Sequence, residues 1–219
     1  MKAEFWHDRW EQNRIGFHDD AVNAHLQQFW DRLHVPPHAT VFVPLCGKSR
    51  DMWWLHSLGY HVLGVELSPI AAESFFTENH LSPTTSRQGP FLRWEATGLT
   101  ILQGDYFALR PEDVSHCEAV FDRASLIALP PDMRMTYVEQ FHRLFATGLD
   151  LLLLTLEYDQ SIASGPPFAV FDSELSDHYG QNYRIDLLKT ADVSDELPSL
   201  RKRGVTAIEE KVYQLTSRS

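Results

Sequence analysis

The chain has 219 residues, 43% hydrophobic and 22% charged, which fits one globular α/β domain with its own core and excludes a disordered chain. Thirty acidic residues against nineteen basic ones leave a net charge of −11. That balance argues against nucleic acid or an anionic membrane as partner, since both need a basic face, but not against a small anion held by one or two arginines.

Residues 1–19 are rich in aromatic and charged side chains, with Phe5, Trp6, Trp10 and Phe17. No apolar run follows the charges of MKAEFWHDRWEQ, so this stretch is not read as a signal peptide. Val22, Leu26, Phe29, Trp30 and Leu33 recur at helical spacing, and Pro36 and Pro37 stop that helix. The eleven histidines are scattered. His34 and His38 have the two prolines between them, and neither Cys-x-x-Cys nor His-Glu-x-x-His occurs, so no metal is expected.

Thr40 to Ser68, TVFVPLCGKSRDMWWLHSLGYHVLGVELS, is the most informative stretch. It reads as a strand (Thr40 to Pro44), a tight glycine turn, a helix capped by Ser49 and ended by Gly59, and a second strand (His61 to Glu66). Glu66 follows Gly47 by nineteen residues, the layout in which a carboxylate accepts from a ribose diol. A P-loop is excluded, because its first glycine would fall at Phe42. A dinucleotide turn is weakly supported, because PLCGKS offers one glycine. A nucleoside cofactor without phosphate needs fewer bare amides, and S-adenosylmethionine (SAM) is one. The other reading of this stretch is an ordinary βαβ turn without a ligand. Cys46 lies in this turn; with Cys117 it makes no disulfide framework, so both read as reduced thiols of a cytosolic protein.

Ser68 and Pro69 begin the next helix. Phe91 to Glu95 and Leu99 to Gln103 flank Ala96-Thr97-Gly98 as a hairpin, whose second arm runs into Gly104-Asp105-Tyr106. Glu118 to Asp122 is a strand leading into Arg123. Pro131 opens a helix that Gly148 ends, and Asp150 to Glu157 is a buried parallel strand, too short to span a bilayer. Gly165-Pro166-Pro167-Phe168 is a rigid loop, and Tyr183 to Lys189 and Thr206 to Leu215 are the last strands. This alternation calls for a mainly parallel sheet with helices on both faces and an antiparallel strand late in the order. Leu45, Glu66, Asp105 and Arg123 all fall just past strand ends, where such sheets bind ligands.

With those residues assembled, the chain resembles the thiopurine S-methyltransferase family in its bacterial form. The matching pieces are Trp6 and Trp10, GFH at Gly16 to His18, VPLCGKSRDMWWL at Val43 to Leu55 and GVELS at Gly64 to Ser68. GDYF at Gly104 to Phe107, DRASLIALPP at Asp122 to Pro131 and GPPF at Gly165 to Phe168 complete them in order. The resemblance implies a single domain over residues 1–219, with a Rossmann-like class I methyltransferase fold: a seven-stranded, mainly parallel sheet and N-terminal lid helices in residues 1–36. It implies SAM-dependent S-methylation of aromatic or heterocyclic thiols such as thiopurines, with S-adenosylhomocysteine as product. A role in selenium or tellurium detoxification, a monomer and a cytoplasmic location also follow from the resemblance.

By the same resemblance Trp10, Leu45, Glu66 and Arg123 are cofactor contacts, Asp105 and Tyr106 flank the adenine, and Phe17 belongs to a lid over the substrate. Arg123 would also favour a substrate anion, and no catalytic base is expected. The alternatives are an O- or N-methyltransferase of the same fold, which would need a base, and a nucleoside-binding oxidoreductase. The match weakens in the tail, where Arg201-Lys202-Arg203 falls near a family position that carries a substrate-facing arginine; the cluster itself reads as a solvated basic face.

Overall fold

A computed structural model describes residues 3–218, which fall into two compact units, one ending at Phe121 and the other beginning at Asp122. The first unit carries α1 (Ala3–Glu11), α2 (Ala24–Phe29), β1 (Thr40–Val43), α3 (Arg50–Ser57), β2 (His61–Glu66), α4 (Pro69–Glu78), β3 (Thr84–Gln88), β4 (Phe91–Ala96), β5 (Leu99–Gln103), α5 (Pro111–Val114) and most of β6 (Cys117–Arg123). Its strands run in the order β3-β4-β5-β2-β1-β6. β1 is parallel to β2 and β6, and β2 is parallel to β5. The first two strands are nearly all apolar because both faces are covered: Val41, Phe42, Val62 and Val65 are all buried.

Helix starts follow the sequence. The Ser49 hydroxyl accepts from the Asp51 amide and the Ser68 hydroxyl from the Ala71 amide, so each connection leaves its strand into a capped helix. The predicted Val22–Leu33 helix splits into α2 and a 3-10 turn at Trp30–Leu33, with Asn23 as its cap. Gly64 has no room for a side chain: a Cβ there would lie 2.5 Å from Cys46 Sγ and 3.0 Å from Met52 Cε. The missing Cβ lets the turn after β1 close down on β2.

The expected hairpin is present as β4 and β5, antiparallel, with Thr97 and Gly98 both at positive φ as a tight hairpin turn requires. β3 then pairs antiparallel with β4. The described residues thus contain nine strands rather than seven; β3 and β4 lengthen the first unit beyond β5.

The second unit contains α6 (Pro131–Leu144), β7 (Asp150–Glu157), α7 (Asp172–Tyr179), β8 (Tyr183–Asp192), α8 (Pro198–Arg201) and β9 (Glu209–Ser217). β9 is antiparallel to both β7 and β8, which meets the expectation of antiparallel pairing late in the chain. Arg134 of α6 is 3% exposed and forms a paired contact with Glu174 of α7, Nε to Oε1 at 2.5 Å and Nη2 to Oε2 at 2.8 Å. Among the described residues no helix is long and apolar enough to cross a membrane.

Candidate functional site

The carboxyl end of β2 meets the turn after β1 through Glu66. This side chain is 6% exposed. Its Oε2 accepts the Gly47 amide at 2.8 Å, and its Oε1 accepts the Ser68 amide at 2.7 Å. Burial pushes its pKa up to about 6, while the amides of Ser68, Gly47 and Leu67 pull the other way. One carboxylate therefore ties two strand-end loops together, and each oxygen keeps a lone pair for a further donor.

The turn itself is strained. Leu45 has φ +44 and Gly47 φ +54; a left-handed leucine costs about 1 kcal/mol and persists only where its surroundings fix it. Cys46 between them is buried, and burial followed by the nearby Glu66 raises its thiol pKa well above the ordinary value, so it stays uncharged. Lys48 pairs with Glu78 at the end of α4 at 2.6 Å. Asp51, 1% exposed, accepts the Asn23 amide at 2.8 Å and the Ser49 hydroxyl at 3.0 Å, so the segment before α2 hangs from the start of α3.

The N-terminal segment covers this turn. Trp10 of α1 is buried, and its indole lies 3.4 Å from where a Cβ on Gly47 would stand. Phe17 packs edge-on against Trp10 and Trp6, ring centres 5.6 Å apart in each case, yet remains 42% exposed. An exposed phenylalanine beside two tryptophans offers an aromatic surface. Next to it, His18 has its pKa lowered first by burial and then by Lys48, with Arg50 adding to this and Asp20 and Glu78 opposing.

β5 delivers the third loop. Its register with β2 ends at Glu66 opposite Gln103, and the Gly104 amide donates to the Glu66 carbonyl at 2.8 Å. Asp105 follows, exposed, with Oδ1 accepting the Phe107 amide at 2.9 Å, while Tyr106 is buried. Of the predicted residues, Trp10, Leu45, Glu66, Asp105, Tyr106 and Phe17 all stand in the first unit on loops at strand ends or in the segment over them.

Arg123 is the last residue of β6, half-buried and in the second unit. Asp122 before it is fully buried, and its carboxylate is held by Tyr137 and Ser125. The basic tail cluster is exposed along all three residues, as expected of a solvated face. Arg201 pairs with Asp195, and Arg203 donates to the carbonyls of Ser164, Pro166 and Ser199, clamping the loop that carries Pro166, Pro167 and Phe168. The Phe168 amide in turn donates to the Ile127 carbonyl at 2.7 Å. Asp51 and Tyr137 are not among the predicted site residues, because their partners Asn23 and Asp122 lie far away in sequence, while Ser68 is legible as a helix cap but not as a partner of Glu66. Among the described residues there is no group of three or more His, Cys, Asp or Glu side chains arranged to hold a metal.

The thiopurine S-methyltransferase family profile matches residues 1–218. The chain belongs to the thiopurine S-methyltransferase family. It is 44% identical over 219 residues to the thiopurine S-methyltransferase of Nitrosospira multiformis, with both chains fully covered. It is 46% identical over 215 residues to that of Pseudomonas syringae pv. tomato, covering 98% of each. Solved structures share the fold at low identity. A SAM-dependent methyltransferase from Anabaena variabilis superposes with TM-score 0.64 at 13% identity, over 99% of this chain and 95% of that one. The Burkholderia thailandensis 1,6-didemethyltoxoflavin-N1-methyltransferase, solved with S-adenosylhomocysteine, gives TM-score 0.62 at 14% identity over 98% and 87%. The family member described here is thus a SAM-dependent enzyme with a Rossmann-like methyltransferase fold.

Proposed function

We propose that this enzyme moves the methyl group of SAM to the sulfur of an aromatic or heterocyclic thiol, thiopurines included, leaving S-adenosylhomocysteine and a methyl thioether. The observation that carries the reading is Glu66: a buried carboxylate held between two backbone amides at the ends of adjacent parallel strands, with lone pairs left for a ribose diol.

The donor set fits SAM. Glu66 binds the ribose hydroxyls, and the strained Leu45 turn presents backbone to the methionine end. Asp105 accepts from the adenine amine, beside Tyr106. Trp10 places an aromatic face where a cation is favoured, and Arg123 meets a carboxylate or the acceptor's anion. SAM supplies a methyl group on a sulfonium whose departure leaves a neutral thioether. An aromatic thiol is largely thiolate near neutral pH, so the chain's own contribution is to align, to exclude water beneath Phe17, and to favour the anion through Arg123. No side chain is assigned as a general base. Well-oriented reactants gain roughly 7–11 kcal/mol from alignment alone.

Selenium and tellurium compounds are a second acceptor class, on the strength of the family resemblance. Family relatives that span the whole chain support reading it as one functional domain. A cytoplasmic monomer without nucleic-acid partners fits the reduced thiols and the net charge of −11.

Incubating the purified protein with SAM and 6-mercaptopurine, then weighing the products by mass spectrometry, tests the reaction. The S-methyl thioether is expected; a protein that binds SAM yet methylates only oxygen or nitrogen acceptors overturns the thiol reading. Phe17→Ala is expected to raise the acceptor KM about tenfold, the loss of roughly 1.4 kcal/mol of apolar contact. The calorimetric Kd for SAM should stay within about twofold. An unchanged acceptor KM removes Phe17 from the lid.

A further inference from the structure

Arg123 is preceded by an acid that reaches neither solvent nor, by its burial, any substrate. Asp122 is 0% exposed, and its Oδ2 accepts the hydroxyl of Tyr137, itself 0% exposed on α6, at 2.7 Å. Oδ1 has no hydrogen-bond partner among the described residues, and the Ser125 hydroxyl and amide lie close enough to the carboxylate to favour its charged form. Between Asp122 and Ser125 the backbone turns through Ala124 at φ +67, a left-handed conformation that costs a residue with a Cβ about 1 kcal/mol. The Ser125 carbonyl then accepts the Ala128 amide at 3.1 Å, starting the 3-10 turn at Leu126–Ala128. Arg123 sits inside this closure, held by β6 before it and by the Asp122–Ser125 link after it.

A buried carboxylate is a costly way to fill a core position. Burial raises its pKa to about 6 against the pull of Tyr137 and Ser125, and an apolar side chain of similar volume is often no worse for stability. What an apolar side chain cannot do is hold a strained turn closed by accepting from it. Successive side chains on a strand point to opposite faces, so an acid anchored in the core at position 122 fixes which way residue 123 points.

We infer that Asp122 is a positioning residue for methyl transfer: anchored by Tyr137 and closed on Ser125, it fixes the backbone from which Arg123 presents its guanidinium. The inference rests on the reading of Arg123 as a residue of the methyl-transfer site.

The test is a double-mutant cycle on the full chain. kcat/KM for 6-mercaptopurine is measured for D122N, R123K and the double variant, with melting temperature and near-UV circular dichroism to confirm the fold. R123K is expected to lose about 100-fold, since a point charge does not replace a planar fork. D122N is expected to lose about 10-fold. The double variant should be no worse than R123K within about threefold, because Asp122 then has nothing left to position. Losses that multiply, or D122N with wild-type kcat/KM, overturn the inference. R123K at wild-type activity instead overturns the Arg123 reading, so the two failures are told apart. If D122N does not fold, Tyr137→Phe replaces it in the cycle, removing the anchor and keeping the Ser125 contact; the same two results decide.

Discussion

Glu66→Gln is expected to weaken SAM binding about 10- to 100-fold and to remove the acid dependence of that binding. Hydrogen bonds to a charged acceptor contribute about 1.5–3 kcal/mol each, and a ribose diol makes two at most. The sign of the pH effect follows from burial. The free protein holds the Glu66 carboxyl at about 6, above its ordinary value near 4.3. Ribose hydroxyls donate to the ionised form, so binding lowers that pKa and releases a proton. Affinity is then flat well above pH 6 and falls below it, by about tenfold per pH unit until the pKa of the complex is reached. Calorimetry of SAM binding between pH 5 and 8 reads both effects. An unchanged Kd, or the same acid limb in the glutamine variant, removes Glu66 from the ribose site.

The same shift sets how the apoprotein behaves. An acid whose pKa is raised on folding stabilises the fold while protonated. That stability is lost as pH rises from the unfolded pKa through about 6, an amount on the order of 2 kcal/mol. At neutral pH the free enzyme therefore carries a buried charge, a cost that donors from a bound ribose would offset. Glutamine relieves that charge but sets an amide against one of the two N–H groups of Gly47 and Ser68. These opposed effects leave the melting temperature within a few degrees of wild type. Lost affinity in Glu66→Gln then reports on the site rather than on unfolding.

How far the sequence could be read depended on whether a residue's role is local. The Ser49 and Ser68 caps, Pro69 at a first turn and the Thr97-Gly98 hairpin are decided within four residues, and the structure has them in place. β7 matches its predicted bounds, Asp150–Glu157, because a strand covered on both faces reads as an aliphatic stretch interrupted only by Thr155. β3 is not legible in the sequence because TTSRQ is polar and mostly exposed; its strand character comes from pairing with β4 and has no apolar alternation behind it. The strand count followed: the resemblance implied seven, and the β3–β4 extension makes nine. Glycine spacing and a strand-end acid single out Gly47 and Glu66 in the sequence, and the structure joins them by a hydrogen bond at 2.8 Å. The contacts of Asp51 with Asn23 and of Arg203 with the Ser164–Pro166 loop join residues 28 and up to 39 positions apart. No short-range pattern announces such a pair. The basic cluster is exposed, as its composition implies; what its sequence does not announce is that Arg203 also donates to the carbonyls of Ser164 and Pro166.

Glu174→Ala is expected to destabilise the protein by about 3 kcal/mol, the usual result of leaving a buried charge without its partner. Arg134 is 3% exposed, and Glu174 satisfies its Nε and one terminal nitrogen. Among the described residues the Leu129 carbonyl, at 3.2 Å from Nη1, would remain as a partner. Alanine cannot follow the guanidinium to water, so either the charge stays buried and unpaired or α6 and α7 separate. The melting temperature should fall by roughly 6–12 °C for a chain of this size. His178, whose Nε2 lies 3.5 Å from Glu174 Oε1, loses the same partner. The paired change Arg134→Met with Glu174→Met distinguishes the cause. If the loss comes from the stranded charge, the double variant should recover most of it, because two apolar side chains of similar volume often serve as well as a buried ion pair. If it comes from lost packing between the helices, the double variant should melt as low as Glu174→Ala. Because Arg134 also holds Leu129, at the end of the segment that begins with Arg123, the unpaired variant should lose hydrogen-exchange protection first at residues 124–129. Protection lost evenly across the second unit instead would show that the ion pair supports the α6–α7 packing as a whole and has no special hold on that segment.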